Sequence, residues 1–442
     1  MRSDERFKSM QADGIVSGDA TQRSNCFVES NHWVEYATWA WYRWSPEILV
    51  NSATARMRTP RFEIHKPQML AAAMLCVFAL QCLWVVHRQT LTPVDYAYAR
   101  CGRELWERPS PLAGYLTSCG NISDGTFAYR VAGFPLTVER ILLRQPSSVS
   151  LWEMRHLAGN VLLLLRLPFI LFGVWLGGGI WWVSRRLYGN AGGFFALVLY
   201  CFSPEMIRVC VRPNNEILAA WGLYGILYTA VGLAHAMQGP RRKWRPRMVL
   251  LTVALGLTVT AHVAAALLGL LLALGFMLYL AENKKPVVLP VLAMAVAGGF
   301  LILVASYAFH LDGLSYVFES ADARMWFSWA GSLHMMESVS NAGLTIAALS
   351  AAALYVFHRR SRYFGNTTPL IVAVILLSLE TTGVRSEPWI WALPFLLTFT
   401  GGVFADMLES RRKGMFLWLT GALAVTQVVL TLASLPLLVS HG

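Results

Sequence analysis

Charged residues are scarce in this sequence: Asp, Glu, Lys and Arg make up only 14% of its 442 residues, whereas 56% are hydrophobic and the mean hydropathy is positive. This balance excludes an ordinary soluble domain, in which about 25% of residues are charged. Short segments of alternating polarity, which would indicate a membrane β-barrel, are also missing. Instead, apolar runs recur along almost the whole chain after Pro67, each close to the roughly 20 residues that span a bilayer. We therefore predict an all-α polytopic membrane protein.

The apolar runs predict about eleven membrane-spanning helices. The ambiguous run is Met248 to Ala281, because its 34 residues would measure about 51 Å as one helix, too long for a single crossing. We predict two helices that turn at His262, at membrane depth. Such a break is tolerated only where it is buried in protein or lines a wet cavity, so we also predict a cavity open to the outer face. The predicted spans are 68–87, 160–183, 189–204, 216–237, 248–261, 263–281, 286–309, 339–357, 367–380, 388–405 and 415–437.

The distribution of basic residues predicts the orientation of the chain. With the break at His262, eight later Lys and Arg residues fall on the face that also carries Arg185 and Arg186, and only Arg324 and Arg385 fall on the opposite face. Short cytoplasmic loops are enriched in Lys and Arg. We therefore expect the N-terminus in the cytoplasm and the C-terminus outside. The formal net charge of +12 follows from this topology and indicates no nucleic-acid partner.

Two segments are predicted along the chain. Residues 1–66 form a cytoplasmic segment that is partly disordered, because it begins with a long polar stretch. Residues 67–442 form the multi-helix membrane domain, with a long outer loop at 88–159. The pattern of a cleaved signal peptide is not seen at the start. No internal repeat is visible, which disfavours transporter folds built from inverted halves.

The seven cysteines show no metal-type pair spacing such as CxxC. Only Cys101 and Cys119 share the predicted outer loop, where oxidising conditions would let them bridge. Two free thiols are the alternative, and the sequence leaves both open.

Polar residues near the outer edge of the membrane are the candidates for function, because ionisable groups at depth are costly and face cavities or pathways. Asp95, in the stretch LTPVDYAY, directly follows the first span. Each candidate has an alternative role: a solvated position or an Asx turn for Asp95, a favourable meeting with a helix dipole for Glu216, and an interfacial anchor for each arginine. The candidates are Asp95, Arg100, Arg103 and Glu104 in the loop; Glu205, Arg208, Arg212, Asn214, Asn215 and Glu216 in the stretch SPEMIRVCVRPNNEILAAWG; and His262, His310 and His334.

A family resemblance starts from the segment RLPFILFGVWLGGGIWWVSRRLYGNAGGFFALVLYCFSPEMI at 166–207. It resembles the second-to-third helix region of the C-superfamily (GT-C) membrane glycosyltransferases, which use polyprenol-phosphate sugars. The similar members are family 39 protein-mannosyltransferase-like and aminoarabinose-transferase-like enzymes. The segment RSEPWIWALPFLLTFTGGVFADM at 385–407 is similar to a later helix of these enzymes that carries a Leu-Pro pair. The resemblance implies a GT-C-like fold, with one helix, a long outer loop that opens with an acid, and then helix pairs.

The resemblance implies roles for individual residues. Asp95 falls where the family has the acid of its Asp-Glu-type motif, which acts as base or orients the acceptor, and Tyr96 stands where the second acid is usual. Glu216 falls near the family's second acidic position, at a helix start. We therefore expect Asp95 and Glu216 to be catalytic. The expected substrate-binding residues are Tyr96, Arg100, Arg103, Arg208, Arg212, Asn214, Asn215 and His262.

The implied reaction moves a sugar from a polyprenyl-phosphate donor to a lipid, glycan or protein acceptor, at the outer face of a bacterial-type inner membrane. Arginines would bind the phosphate by charge-assisted hydrogen bonds, and a carboxylate would take the acceptor's proton. A divalent cation held by Glu216 with His262, His310 or His334 is left open, although no metal-ligand spacing is present. Two alternatives also stay open: a transporter or flippase of a lipid-linked or small polar substrate, and an inactive homologue in envelope assembly, which Tyr96 favours.

Overall fold

The computed structural model describes residues 66–107, 125–143, 158–238, 241–281, 284–310, 325–329, 333, 336–358, 361–381, 387–410 and 412–440. These residues belong to one compact unit, 64–442. Nearly all of the predicted cytoplasmic segment, 1–66, lies outside the described residues, and so do Cys119 and His334. The predicted boundary between the two segments stays a prediction.

Thirteen α-helices and two short strands make up the described part of the chain. The helices are α1 Lys66–Arg88, α2 Pro93–Glu107, α3 Phe127–Leu142, α4 Ala158–Cys201, α5 Pro204–Cys210, α6 Glu216–Met237, α7 Arg241–Ala261, α8 Val263–Leu280, α9 Lys285–Ser306, α10 Ala342–Phe357, α11 Phe364–Leu377, α12 Pro388–Leu408 and α13 Lys413–Ser440. The strands are β1 Met325–Phe327 and β2 Leu379–Thr381, and a 3-10 turn at Val339–Asn341 precedes α10.

Eight stretches of the described helices are long and apolar enough to cross a membrane. The protein is thus an integral membrane protein of the predicted all-α class, but the predicted number of eleven spans is not confirmed. Two helices do not meet the length or hydropathy expected of a membrane span. α7 opens with the basic segment RRKWRPR, and α11 has only 14 residues. The predicted span 160–183 and most of the predicted span 189–204 lie in α4, which ends at Cys201 and is interrupted where Gly189 has a φ of 77°. Glycine adopts this left-handed conformation without steric cost.

The predicted outer loop, 88–159, contains the helices α2 and α3. These helices pack against each other at Gly102 and Gly133, where a Cβ on either glycine would run into the backbone of the other helix. Beside this crossing, Tyr98 of α2 stacks on Tyr129 of α3, with ring centroids 4.2 Å apart. Two small residues therefore allow a close helix pair in a region that the sequence presents only as a connection.

Further contacts fix this helix pair. Arg130 of α3 donates from Nε and Nη2 to the Ser306 carbonyl oxygen at the end of α9, at 3.1 and 2.6 Å. Cys101 of α2 is disulfide-bonded. Because Cys119 lies outside the described residues, its pairing with Cys101 stays a prediction.

The predicted break at His262 is confirmed, since α7 and α8 meet there. His262 has an extended backbone, with φ −155° and ψ 109°, and its Nδ1 accepts a hydrogen bond from the Ala265 N–H at 3.4 Å. The imidazole therefore caps the start of α8. Gly125, with a φ of 94°, lies against the Thr260 carbonyl oxygen, where a Cβ would clash. The residues before α3 thus reach the break, and the cavity expected beside it stays a prediction.

α12 forms the centre of the helix bundle, and nearly all of its residues are buried. It passes so close to α4 that a Cβ on Gly401 would lie 2.6 Å from the Gly192 carbonyl oxygen. α13 inserts the buried side chain of Gln427, whose Nε2 donates to the Phe202 carbonyl oxygen at 2.8 Å and whose Oε1 accepts from the Leu344 N–H at 2.8 Å. One amide side chain thus connects the end of α4 with the start of α10.

Candidate functional site

Asp95 lies in the first turn of α2 and takes part in the start of that helix. Its Oδ2 accepts hydrogen bonds from the backbone N–H and the hydroxyl of Thr92, both at 2.8 Å, and its own N–H donates to the Thr92 hydroxyl oxygen at 3.2 Å. This reciprocal arrangement is a capping box. Pro93 occupies the first helical position, where its missing N–H costs no hydrogen bond. The pattern TPVD therefore has a local structural role as well as its predicted functional one.

A buried ion pair joins Asp95 to Arg166 of α4. Arg166 donates from Nε to Oδ1 at 3.2 Å and from Nη2 to Oδ2 at 2.6 Å, and each side chain is only 1% exposed. Arg166 also donates from Nη1 to Gln89 Oε1, and Gln89 Nε2 donates to the Leu438 carbonyl oxygen of α13 at 3.0 Å. Asp95 thus accepts four hydrogen bonds, three at Oδ2 and one at Oδ1.

Glu216 is the first residue of α6 and lies in a different environment. The Asn214 side-chain oxygen accepts from the Glu216 N–H at 3.0 Å and from the Ile217 N–H at 3.2 Å, so Asn214 caps the helix. Glu216 Oε2 accepts a hydrogen bond from Trp391 Nε1 at 2.6 Å. Trp391 is fully buried in the first turns of α12. A neutral indole thus donates a hydrogen bond to the Glu216 carboxylate, whereas a charged guanidinium contacts the Asp95 carboxylate.

His262 belongs to the same cluster. Its ring meets the Trp391 ring edge-on, with centroids 4.8 Å apart at an interplanar angle of 72°. The structure therefore brings together two predicted site residues, Glu216 and His262, because both contact Trp391. The tryptophan itself was not predicted, although it lies in the WIWALPF stretch of the family resemblance.

Arg208 of α5 is neutralised by two carboxylates. Its Nε donates to Glu205 Oε2 at 2.6 Å and its Nη2 to Glu387 Oε2 at 2.5 Å. The guanidinium also lies over the Trp389 ring, 5.9 Å from the centroid. Burial lowers the pKa of Arg208, but the two carboxylates outweigh burial and raise the pKa above its ordinary value. This predicted phosphate ligand is thus already paired within the protein.

Arg212, in the turn before α6, has a less favourable electrostatic environment. Burial lowers its pKa, the positive charges of Arg208 and Arg166 lower it further, and Asp95 and Glu387 partly oppose them. These interactions mean that Arg212 lies near both ion pairs. The turn that leads into Glu216 is therefore close to Asp95, so the two predicted catalytic carboxylates lie at the same end of the bundle.

The other predicted site residues lie outside this cluster of contacts or at its edge. Arg103 is buried between α2 and α3 and donates from Nε to Glu107 Oε1 at 2.9 Å. Arg100 is exposed, Tyr96 is half-buried and Asn215 is buried just before α6. Their substrate-binding roles stay predictions, and Arg103 is paired with Glu107 one turn further along α2.

Metal ligands do not gather in the described part of the chain. There, no three His, Cys, Asp or Glu side chains are grouped so that they could hold a metal ion. Glu216 and His262 both contact Trp391, His310 follows α9, and His334 lies outside the described residues. The divalent cation stays a prediction, and no step below uses it.

No protein-family model and no curated protein matches this chain. Solved structures do match. The apo structure of ArnT from Cupriavidus metallidurans shares 17% identity at a TM-score of 0.55, over 79% of this chain and 61% of that one. ArnT bound to undecaprenyl phosphate shares 16% identity at a TM-score of 0.52, over 85% and 72%. AglB from Archaeoglobus fulgidus, solved with an inhibitory peptide and a dolichol-phosphate, shares 11% identity at a TM-score of 0.51, over 83% and 56%.

ArnT is an aminoarabinose transferase and AglB is an oligosaccharyltransferase, and both are GT-C glycosyltransferases. This chain has the GT-C fold. The resemblance predicted from the segments 166–207 and 385–407 is thereby confirmed at the level of the fold. The chain spans about three fifths of the apo ArnT chain. Sequence identities this low support a shared fold and nothing finer.

Proposed function

We propose that this protein is a membrane glycosyltransferase that moves a sugar from a polyprenyl-phosphate donor to an acceptor. The observation that carries the proposal is the pair of buried carboxylates, Asp95 and Glu216, at helix starts on one end of a GT-C bundle. Support also comes from the neighbours of the fold, since ArnT was solved with undecaprenyl phosphate and AglB with a dolichol-phosphate. The acceptor is a lipid, a glycan or a protein.

Glu216 is our candidate for the base. Transfer to a hydroxyl requires a group that accepts its proton, and a positioned carboxylate can serve as that group. The hydrogen bond from Trp391 holds Glu216 Oε2 through a neutral donor, so this contact orients the carboxylate without neutralising its charge. The His262 ring also packs edge-on against this indole.

Asp95 is our candidate for a positioning residue. Its four accepted hydrogen bonds engage both carboxylate oxygens and tie them to Thr92 and Arg166. The ion pair with Arg166 instead fixes the start of α2 against α4. The family resemblance gives Asp95 the role of a base or of a group that orients the acceptor, and the role of base is the alternative to be tested.

Arg212 is our candidate for the group that meets the donor phosphate. Arg212 lies in the turn that leads into Glu216, and burial, together with the charges of Arg208 and Arg166, lowers its pKa. Charge on a leaving phosphate is stabilised by such fixed positive groups in a site that excludes water. We place the reaction at the outer face of a bacterial inner membrane, with the N-terminus in the cytoplasm.

The test is transfer of radiolabelled sugar from polyprenyl-phosphate donors by the purified protein in liposomes that contain membrane lipid acceptors or added glycan and peptide acceptors. Wild type is compared with Glu216→Gln and with Glu337→Gln, an exposed acid that serves as matched control. Label that moves to an acceptor, and only while Glu216 is intact, supports the proposal. Label that crosses the bilayer without transfer supports a transporter or flippase. If label is neither transferred nor moved across the bilayer, the result supports an inactive homologue.

A further inference from the structure

The two strands form a short ribbon at the end of a membrane helix. β1 pairs antiparallel with β2, with Phe327 opposite Leu379 and Trp326 opposite Glu380. The Ser328 N–H extends the ladder by donating to the Ser378 carbonyl oxygen at 3.0 Å. Because β2 begins two residues after α11 ends, these hydrogen bonds hold β1 at the level where α11 leaves the membrane.

The length of α11 sets the depth of this ribbon. Its 14 residues span about 21 Å, less than the roughly 30 Å of a hydrocarbon core. Arg362, two residues before α11, is a basic residue of the kind that stays at the cytoplasmic surface. A helix that starts there ends at or below the opposite boundary of the hydrocarbon core, so the ribbon lies at the membrane interface.

Large, exposed aromatic side chains lie on β1 and at Trp329, two residues after it. Trp326 is 48% exposed, Phe327 is 85% exposed and Trp329 is 53% exposed. Leu379 lies opposite Phe327 in the ladder and on the same face of the ribbon, and Trp329 comes directly after Ser328, whose N–H makes the last hydrogen bond of the ladder. Contact with water would be costly for three such rings, whereas aromatic residues are favoured at the membrane interface.

We propose that this aromatic ribbon, Trp326, Phe327 and Trp329, rests in the headgroup region of the leaflet on the side of the candidate site. The lipid surface is the partner because β2 directly follows α11 and the helices next to the ribbon in the chain, α10 and α11, expose aliphatic side chains. They are Ile346 and Leu349 on α10, and Ile371 and Val374 on α11.

Two contacts place the ribbon on the same side as the site. Glu387, six residues after β2, accepts a hydrogen bond from Arg208. At the other end, Asn341, just before α10, donates to Glu205 Oε1 at 3.5 Å. The ribbon would thus anchor the site to the leaflet surface, whatever reaction the site performs, so this inference does not depend on the proposed function.

The experiment is site-directed spin labelling in lipid nanodiscs. Labels at Phe327→Cys and Trp329→Cys are placed in a Cys76→Ser background, because Cys76 is exposed. Collision with dissolved oxygen, which concentrates in lipid, is compared with collision with a water-soluble nickel complex. Leu349→Cys is the lipid-facing control and Lys413→Cys is the water-facing control, since both side chains are exposed.

We expect both ribbon labels to favour oxygen over nickel, as position 349 does, at a depth on the order of 5 to 10 Å, which interfacial elements reach. Preference for nickel, as at position 413, would overturn the inference because it would put the ribbon in water. Low collision rates with both reagents would also overturn it, because they would mean that protein covers the ribbon. The second label keeps the result interpretable if one substitution disturbs folding.

Discussion

Asp95 and Glu216 are two acids in the first turns of α2 and α6, at the same end of the bundle, and their surroundings differ. Asp95 accepts hydrogen bonds from the guanidinium of Arg166 and from Thr92, and these bonds engage both of its oxygens. Glu216 Oε2 is held by the neutral indole of Trp391. The difference comes from the neighbouring helix, because α4 supplies a charge to one acid and α12 supplies an aromatic ring to the other. Both acids lie at helix starts, so their different chemical roles depend on the tertiary contacts that other helices supply.

The largest effect is expected from Glu216→Gln. If Glu216 accepts the proton, sugar transfer should fall by about 10²- to 10⁴-fold, the usual contribution of a positioned acid or base. The free energy of unfolding should change little, because Gln preserves the hydrogen bond to Trp391. Transfer is measured in liposomes under donor saturation, beside Glu337→Gln. Turnover within a few-fold of wild type would remove Glu216 from the mechanism.

Asp95→Asn should act on stability. Loss of the carboxylate leaves Arg166 buried without its counter-charge, which costs about 3–5 kcal/mol of unfolding free energy. Chemical denaturation in detergent micelles measures this cost. In the double variant Asp95→Asn/Arg166→Gln, most of the loss should be recovered because no buried charge remains unpaired. A single variant as stable as wild type would show that the ion pair contributes little.

The two arginines near Glu216 should differ in donor binding. Arg212→Gln should weaken binding of the polyprenyl-phosphate donor about ten- to a hundredfold, since hydrogen bonds to charged groups are worth about 1.5–3 kcal/mol. Arg208→Gln is the matched control and should weaken it less, because Arg208 is already paired with Glu205 and Glu387. Donor KM at fixed acceptor measures both. Equal losses would contradict the separate roles of the two arginines.

The smallest effect is expected from Gln89→Leu, which removes the second partner of Arg166. Arg166 keeps its bidentate contact with Asp95, so the cost should be about 1–3 kcal/mol, the penalty for an unsatisfied buried polar group. The same denaturation experiment measures it. A loss as large as that of Asp95→Asn would mean that Gln89, rather than the carboxylate, dominates the environment of Arg166.

Some of these features can be read from the sequence. The break at His262 follows from the length of an apolar run, and the start of α6 follows from Pro213 and the polar residues after it. The helices inside the outer loop are missed because they are too short and too polar to stand out as spans. Their packing depends on the facing glycines Gly102 and Gly133, which no local pattern pairs.

The composition of the site is harder to predict. Asp95 and Arg166 are 71 residues apart in sequence, and no local pattern links them. Trp391 lies in an apolar helix, where a tryptophan that supports a carboxylate cannot be distinguished from one that packs in the core. Candidate acids and arginines are thus visible in the sequence, whereas their partners, which decide their roles, depend on how distant helices pack.

The most direct test of the separate roles is sugar transfer by the double variant Asp95→Asn/Arg166→Gln, measured per folded molecule beside Glu216→Gln. This variant removes the carboxylate at 95 without leaving a buried charge. We expect the double variant to keep transfer within about tenfold of wild type, while Glu216→Gln loses it. A folded double variant without transfer, beside an active Glu216→Gln, would instead make Asp95 the base.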